Sequence, residues 1–268
     1  MSLDIGAALS DGFDRTLKRN ALILMGVFLV IGLLSTVLSQ TMNAGLVGQL
    51  AGPGGPTGGN LPPGFPGAGG AGTYPFGLPV PWPVAAVGSL IVAILAEVVR
   101  IVAVRTLVSD ATDEIPGEYL RRNIGLATIN SFVGNLVASI LIVIGLIFFI
   151  VPGIFLALSF FFVRQEIAVE DKNFIDALAD SWSLTSGNRI ELLGLAIILA
   201  VIGFVVGSPS LVFFFLSPVA GAVVSQIIGS ITTVFSIAVA ARAYDQLRSE
   251  RNASLSAGTG ADDFSDPL

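Results

Sequence analysis

Residues 129–169 decide the fold, because two apolar runs flank Pro152 and Gly153. The first run is INSFVGNLVASILIVIGLIFFIV (129–151) and the second is IFLALSFFFVRQEIAV (154–169). Together they hold about 40 residues, whereas one helical crossing of a bilayer takes about 20. Proline lacks an amide hydrogen and glycine permits a reversed backbone, so Pro152 and Gly153 predict a tight hairpin between two spans. One kinked helix is the alternative.

Four further apolar runs have the length of membrane helices, about 17–25 residues. They are Ala21–Leu38, Val84–Val104, Ile190–Gly207 and Val219–Ala241. With the central hairpin they predict an all-α protein, a six-transmembrane-helix bundle within a single membrane domain over residues 1–248. Hydrophobic residues make up 53% of the 268 residues and charged residues only 12%, too few to cover the surface of a soluble protein.

The distribution of lysine and arginine predicts the orientation. When six spans are drawn with both termini inside, all 13 basic residues fall on the inner side or at the inner end of a span. The positive-inside rule therefore predicts a multi-pass protein of the cell membrane with both termini cytoplasmic. The uncharged, Gly/Pro-rich residues 41–83 become a flexible outer loop, either a tolerated insertion or a recognition loop. Residues 249–268 are predicted to be a disordered acidic cytoplasmic tail.

The absence of two residue types excludes most familiar enzyme chemistry. The chain has no cysteine and no histidine. This removes thiolate nucleophiles, Ser–His–Asp triads and the usual zinc and haem ligands. We therefore expect a non-enzymatic protein without catalytic residues, cofactor or metal, whose partners are membrane lipids and unidentified proteins but no nucleic acid.

The charge balance gives an indication of habitat. Acidic residues outnumber basic ones by 19 to 13, and 11 of the basic residues are arginine. Acidic, lysine-poor chains stay hydrated at high salt, so the composition favours a halophilic archaeon. GC-rich coding DNA is the alternative reason for the preference for arginine.

Glu97 and Arg100 form the candidate polar site. They lie three residues apart on one face of the second predicted span. Charges at that depth are costly unless they are paired or face a wet cavity. One hypothesis makes them part of a substrate or proton path in a transporter. The other makes them a structural pair, with Arg100 reaching towards the inner headgroups.

Amphipathic stretches precede the first, third and fifth spans and predict interfacial helices in the plane of the inner membrane surface. The middle copy is interrupted by Pro116 and Gly117. A shift of 58 residues aligns 113–152 with 171–210 and makes 10 of 40 positions identical. Three repeated helical hairpins are thus one arrangement of the bundle, and such repeats occur both in transporters and in bundles without transport activity. The apolar stripes of the first and third copies are Ile5, Leu9, Phe13 and Leu17, and Phe174, Ile175, Leu178 and Trp182.

Residues 145–190 contain five short motifs: Val151-Pro152-Gly153-Ile154, Val169-Glu170-Asp171-Lys172, Ala177-Leu178, Ser181-Trp182-Ser183-Leu184-Thr185 and Gly187-Asn188-Arg189. With these motifs the segment resembles the membrane domain found beside glycerophosphoryl diester phosphodiesterases, including a haloarchaeal branch of that family. The resemblance implies a six-span helical protein with structural roles for its motif residues. Pro152 and Gly153 would form the hairpin, Glu170 would begin the interfacial helix and Gly187 would end it.

The resemblance does not imply catalysis, because the phosphodiesterase activity of such fusions belongs to a separate soluble barrel with a histidine-containing site. The leading hypothesis is a role in envelope maintenance or membrane organisation. The alternative is a small-solute or lipid transporter. An accessory membrane domain of a lipid-phosphodiester enzyme is a further hypothesis.

Overall fold

The computed structural model describes residues 3–51, 74–109 and 111–262, and these residues form helices and connections without a β-strand. The predicted all-α fold is therefore confirmed. The helices are α1 (Ile5–Thr16), α2 (Arg19–Ala51), α3 (Trp82–Val108), α4 (Glu118–Arg121), α5 (Ile124–Phe148), α6 (Ile150–Ser159), α7 (Val163–Glu170), α8 (Phe174–Thr185), α9 (Arg189–Gly207), α10 (Pro209–Leu216) and α11 (Pro218–Asp262).

Within the described part of the chain, six helical stretches are long and apolar enough to cross a membrane. They correspond one to one to the six predicted spans, so the protein is a multi-pass membrane protein. Three stretches are the single helices α2, α3 and α5. The other three are α6 with α7, α9 with α10, and α11 as far as Ser254.

The chain divides into two compact units, each built from separate segments of the sequence. Unit 1 contains the described residues of Met1–Leu24, Glu97–Gly203 and Thr233–Leu268, and unit 2 contains those of Met25–Ala96 and Phe204–Thr232. In unit 1, the Phe162 and Tyr244 rings lie 5.7 Å apart in a core of buried apolar side chains. The single membrane domain over residues 1–248 stays a prediction.

Polar contacts hold the helices of unit 2. Trp82 donates its indole N–H to Gln49 Oε1 at 2.8 Å, and Gln226 donates to the Thr36 hydroxyl at 2.9 Å. Hydrogen bonds between side chains of apolar helices contribute to their association in a membrane. Unit 2 is thus fixed by specific contacts as well as by apolar packing.

The central hairpin turns at Phe149, and the prediction that Pro152 and Gly153 form the turn is wrong. Phe149 is a single extended residue, φ −156° and ψ 129°, between the end of α5 and the start of α6. Pro152 lies in the first turn of α6, where a missing amide hydrogen costs nothing. Gly153 instead permits close packing, because a Cβ there would lie 2.6 Å from the Leu146 amide nitrogen.

The predicted outer loop begins later than expected. Helix α2 continues to Ala51, so residues 41–51 are helical rather than part of a flexible loop. These residues contain no proline, and the first proline is Pro53, before which a helix is expected to end. Residues 52–73 lie outside the described residues, and α3 begins at Trp82.

The predicted disorder of the tail is wrong for residues 249–262, because α11 continues to Asp262. This stretch is polar but contains no proline. Extending an existing helix costs little per residue, whereas starting one is costly, so polar residues continue a helix that a span has already nucleated. Residues 263–268 lie outside the described part.

Two of the three amphipathic stretches form separate helices. Helix α1 buries the small residues Ala8, Gly12 and Thr16, and α8 buries Ala177 and Ser181. Of the large apolar residues in the two stripes, half are exposed and half pack partly against the protein. Phe13, Leu17, Ile175 and Trp182 are exposed, whereas Ile5, Leu9, Phe174 and Leu178 are half-buried.

The middle stretch departs from the proposed repeat. Shifting α8 by 58 residues gives residues 116–127, where the chain forms only the four-residue α4 and the start of α5. Pro116 and Gly117 account for the difference, since both disfavour a helix interior. The 58-residue pattern of the sequence is therefore not matched by the helix bounds.

Candidate functional site

The buried carboxylate of Glu97 is the centre of the candidate site in unit 1. Glu97 is only 4% exposed and lies on α3. Its Oε1 accepts hydrogen bonds from Arg164 Nε at 3.1 Å and from the Ser131 hydroxyl, and its Oε2 accepts one from Arg100 Nη1 at 3.4 Å. Three donors from three helices therefore compensate the buried charge, as a carboxylate at this depth requires.

The predicted partner Arg100 is present but makes the weaker contact. Its side chain is 44% exposed, whereas that of Arg164 is 28% exposed and approaches Glu97 more closely. Because exposed ion pairs contribute little, Arg164 and Ser131 are the main partners of Glu97. Glu97 thus joins α3 to α5 and α7, which the sequence spacing alone did not indicate.

Arg105 forms a second buried charge in unit 1. Its side chain is 3% exposed. The Nε donates to the Ala168 carbonyl at 2.7 Å, and Nη1 donates to the carbonyls of Tyr119 and Arg122 at 3.0 and 2.7 Å. Nη2 donates to Asp171 Oδ1 at 2.8 Å. One guanidinium therefore fastens α3 to the segment around α4 and to the end of α7.

Asp171 links two arginines at the end of α7. Its Oδ1 accepts from Arg105, and its Oδ2 accepts from Arg122 Nε at 2.7 Å. Asp171 has φ 54°, in the left-handed region that non-glycine residues rarely adopt. Aspartate tolerates this region better than most residues. The two ion pairs hold the chain in the reversal between α7 and α8.

Lys172 binds two carboxylates. Its Nζ lies 2.6 Å from Glu166 Oε2 and 2.8 Å from Asp180 Oδ2. Burial acts to lower the pKa of Lys172, but the hydrogen bonds and charges of Asp180 and Glu166 outweigh it and raise that pKa above its ordinary value. Glu166 is fully buried, so Lys172 supplies the charge that compensates it.

Glu170 does not begin the interfacial helix, and that prediction is wrong. It is the last residue of α7 and forms an ion pair with Arg248 of α11. Helix α8 begins after Asn173, whose side chain accepts from the amides of Ile175 and Asp176 at 3.0 Å. An asparagine cap is the standard start of a helix, so the acid in the first turn is Asp176.

The remaining motif residues lie at the end of α8. Gly187 has φ +91°, which glycine adopts without strain, between α8 and α9. The Trp182 ring lies 5.3 Å from that of Phe155. The Arg189 guanidinium lies over both rings, 4.3 Å from the Phe155 centroid and 5.1 Å from the Trp182 centroid. Trp182 thus holds the start of α9 by a cation–π contact.

Some buried polar atoms lack a hydrogen-bond partner. Among the described residues of unit 1 they include Gln165 Oε1, Glu166 Oε1 and the Tyr244 hydroxyl. An open depression of about 630 Å³ lies elsewhere in the unit, beside Arg121 and Arg122. Within the described part of the chain, no group of three or more acidic residues is arranged to hold a metal ion.

Sequence reasoning identified Glu97 and Arg100 but missed Arg164, Arg105 and Asp171. The lysine and arginine distribution places Arg164 and Arg105 at the inner side, and the motif contains Asp171, but neither pattern indicates a partner for them. Asp171 and Lys172 do lie within the recognised motif, and Arg164 is the first charge after a long apolar run. These sequence features point to the residues, but their partners depend on which helices pack against each other.

Comparison with known proteins gives one match. Neither the curated proteins nor the solved structures contain a match to this chain. The family model described as a domain of unknown function (DUF7847) matches residues 3–247, which include Glu97, Arg105 and Arg164. Since this match covers most of the 268 residues, the chain belongs to the DUF7847 family.

Proposed function

We propose that this chain is a non-enzymatic integral membrane protein that maintains or organises the membrane around it. The hydrogen bonds of Arg105 are the observation that supports the proposal. Its buried guanidinium makes four hydrogen bonds, all to groups of the same unit. A guanidinium with four of its five N–H donors bound within its own unit serves a helical scaffold rather than a substrate.

The test is complementation of a host strain that lacks the protein, read as leakage of a soluble dye after osmotic shock. The double variant Glu97→Gln, Arg164→Met removes a buried ion pair and keeps apolar packing. We expect it to restore a tight membrane as the unchanged chain does. A folded double variant that leaves the membrane leaky would contradict the scaffold role and favour transport.

A small-solute or lipid transporter is the second candidate, and the unpartnered atoms of Gln165, Glu166 and Tyr244 favour it. Buried polar atoms without a partner are uncommon and are often functional. The assay is uptake of small solutes and transbilayer movement of labelled lipid in liposomes. A scaffold gives no flux above protein-free liposomes. Flux that Tyr244→Phe abolishes would favour the transporter.

The cell membrane, with both termini cytoplasmic, is the location we propose for the chain. The distribution of all 13 lysine and arginine residues supports this orientation. Lipids are then its immediate partners, and its long helix α11 continues on the cytoplasmic side, where protein partners would bind.

Two further proposals rest on the sequence. The resemblance over residues 145–190 supports an accessory role beside a lipid-phosphodiester enzyme, and co-purification with a glycerophosphodiester-hydrolysing activity would test it. The acidic, arginine-rich composition supports a halophilic source. A chain adapted to high salt should gain thermal stability from molar potassium chloride, and loss of stability there would contradict this proposal.

A further inference from the structure

The depression of about 630 Å³ in unit 1 lies beside the start of a membrane span. The residues that line it belong to the connection between α3 and α5. Helix α5 begins directly after them, has the length of a bilayer crossing and contains no charged residue. The depression therefore lies where a span leaves the hydrocarbon, at the level of lipid phosphate groups. The lining residues are Gly117, Glu118, Arg121 and Arg122.

Arg122 is held in a fixed orientation at the edge of the depression. Its Nε donates to Asp171 Oδ2 at 2.7 Å, and its Nη2 donates to the Val169 carbonyl at 2.7 Å. These bonds use two of the five N–H donors of the guanidinium, and the side chain stays 49% exposed. A guanidinium that is already fixed loses little side-chain entropy when it binds a ligand. The remaining donors of Arg122 are thus well placed for an acceptor in the depression.

Arg121 supplies a second guanidinium beside the first. It is exposed, and it takes part in no hydrogen bond or ion pair with the residues that the structure describes. Guanidinium groups form charge-assisted and often bidentate hydrogen bonds with phosphate oxygens. Two consecutive arginines at one depression therefore match an acceptor group with several anionic oxygens.

The charges around the depression favour an anion. Asp171 is shared between Arg105 and Arg122, so one positive charge of this trio stays uncompensated. Arg121 adds a second positive charge, and Glu118 in the lining opposes it. Two further acids of the same connection do not line the depression, and these are Asp113 and Glu114. The three arginines outnumber the two acids, and the local field attracts anionic groups.

Exposed apolar side chains lie next to the depression. Leu120, directly before Arg121, is 52% exposed, and Leu126 and Ile129 in the first turns of α5 are 59% and 61% exposed. Leu126 and Ile129 are three residues apart and thus lie on one face of the helix. A free phosphate ion would leave this face uncovered, whereas a lipid brings a phosphate group and acyl chains together. The occupant that matches both features is a lipid.

We propose that the depression binds the phosphate group of an anionic lipid, with Arg121 and Arg122 as its ligands. The acyl chains of this lipid lie against Leu126 and Ile129. A headgroup without a cation of its own is preferred, because the site has a net positive charge.

This inference names a ligand for the proposed membrane-organising role and rests on that role for its purpose in the cell. Lipid binding is measured on purified protein, whereas the proposed function is tested by complementation. A chain that complements without binding the lipid would refute this inference alone. A chain that binds the lipid without complementing would refute the proposed function alone.

The test follows thermal unfolding in neutral detergent while phosphatidylglycerol is titrated. A ligand of the folded state raises the melting temperature, and the dependence on its concentration gives an apparent affinity. Arg121→Gln should weaken that affinity at least about tenfold, because it removes one of two charged phosphate ligands. Arg19→Gln is the matched control, since Arg19 is exposed but does not line the depression. It should leave the affinity unchanged, and equal weakening in both variants would overturn the proposal.

Glu118→Gln should have the opposite effect and tighten phosphatidylglycerol binding by up to about fivefold, because it removes the acid that faces the phosphate. Weaker binding by this variant would contradict the assignment. Two other ligands distinguish the sources of phosphate. Phosphatidylcholine with the same acyl chains should bind at least about tenfold more weakly, and inorganic phosphate at the same millimolar concentration should leave the melting temperature unchanged. Stabilisation by either one equal to that by phosphatidylglycerol would overturn the proposal.

Discussion

Glu97 accepts a hydrogen bond from Arg164 at 3.1 Å although 67 residues separate them in the sequence. The contact joins α3 to α7 and makes Arg164, rather than the neighbouring Arg100, the closer cation of the buried carboxylate. The buried charge is therefore part of the tertiary structure of unit 1 and not a feature of one helix.

The first prediction concerns this ion pair. Glu97→Gln should lower the free energy of unfolding by about 1–3 kcal/mol, because Arg164 loses its compensating charge. The double variant Glu97→Gln, Arg164→Met should recover most of the loss, since a charged pair is often replaceable by apolar packing. Thermal unfolding of the purified variants in detergent measures both effects.

Arg100→Met is the matched control for the ion pair. Its contact to Glu97 is longer and its side chain more exposed, so the change should cost less than about 0.5 kcal/mol. An unchanged melting temperature in Glu97→Gln, or a larger loss in Arg100→Met, would contradict this assignment.

Replacing Arg105 with a cation of different shape should destabilise the protein. Arg105→Lys keeps the charge but can make at most three of the four hydrogen bonds, because lysine has three donors on one nitrogen. We expect a loss of about 2–4 kcal/mol, near the cost of breaking a buried pair. Denaturant unfolding checks it. Arg121→Lys, an exposed arginine, is the control and should be neutral.

Two hairpin glycines, Gly153 in α6 and Gly221 in α11, each follow an extended turn residue by four positions and should be equally intolerant of a methyl group. Gly153→Ala and Gly221→Ala would each place Cβ 2.6 Å from a backbone nitrogen that cannot move aside easily. We expect each to destabilise by about 1–3 kcal/mol. Thermal unfolding measures the loss.

Gly203→Ala is the control for the hairpin glycines, because nothing lies within 4 Å of its Cβ position in α9. Alanine in an open helix interior should be neutral or stabilising by up to about 1 kcal/mol. Stability losses of the same size at Gly203 and at Gly153 would contradict the packing explanation.

The raised pKa of Lys172 predicts that the protein loses stability at alkaline pH. Burial opposes its charge, but Asp180 and Glu166 raise the pKa above the ordinary value. The folded state therefore holds the proton more tightly than the unfolded chain does. The contribution of the Lys172 charge to the free energy of unfolding is complete below the unfolded pKa of about 10.4. It is lost as the pH rises through the folded pKa.

Lys172→Arg provides the comparison for this effect. Arginine keeps its proton to above about pH 12, so the variant should lose less stability than the unchanged chain above about pH 10.4. Unfolding followed at several alkaline pH values measures the difference. Parallel pH curves for the two proteins would show that Lys172 does not contribute.

The topology prediction can be tested with two exposed positions. Pro79→Cys precedes α3 and should react with an impermeant maleimide added outside cells. Glu118→Cys lies on α4 and should react only after the membrane is opened. The reverse pattern would refute the orientation that the lysine and arginine distribution predicts.

The six spans could be predicted because a run of apolar residues long enough to cross a bilayer is a property of the local sequence. The amphipathic helices α1 and α8 were also visible as periodic stripes. The position of the hairpin turn could not be predicted, because proline is accepted both in a turn and in the first turn of a helix. Pro152 fits both descriptions, and only the backbone at Phe149 distinguishes them.

The ion pairs could not be predicted for a different reason. Glu97 and Arg100 are neighbours on one helix, so their spacing shows in the sequence. Arg164 and Asp171 reach α3 only because α7 packs against it, and periodicity within one helix carries no information about the helix beside it. The helical residues 249–262 were missed because polar composition alone does not stop a nucleated helix.

The hydrogen bonds of Arg105 have a consequence for the order of synthesis. The ribosome completes α3 before it makes Tyr119, Ala168 or Asp171, which are the partners of this guanidinium. During that interval only water or lipid headgroups can solvate the guanidinium at the end of this apolar helix. The hydrogen bonds that fasten this end of α3 are therefore complete only after α7 has been synthesised.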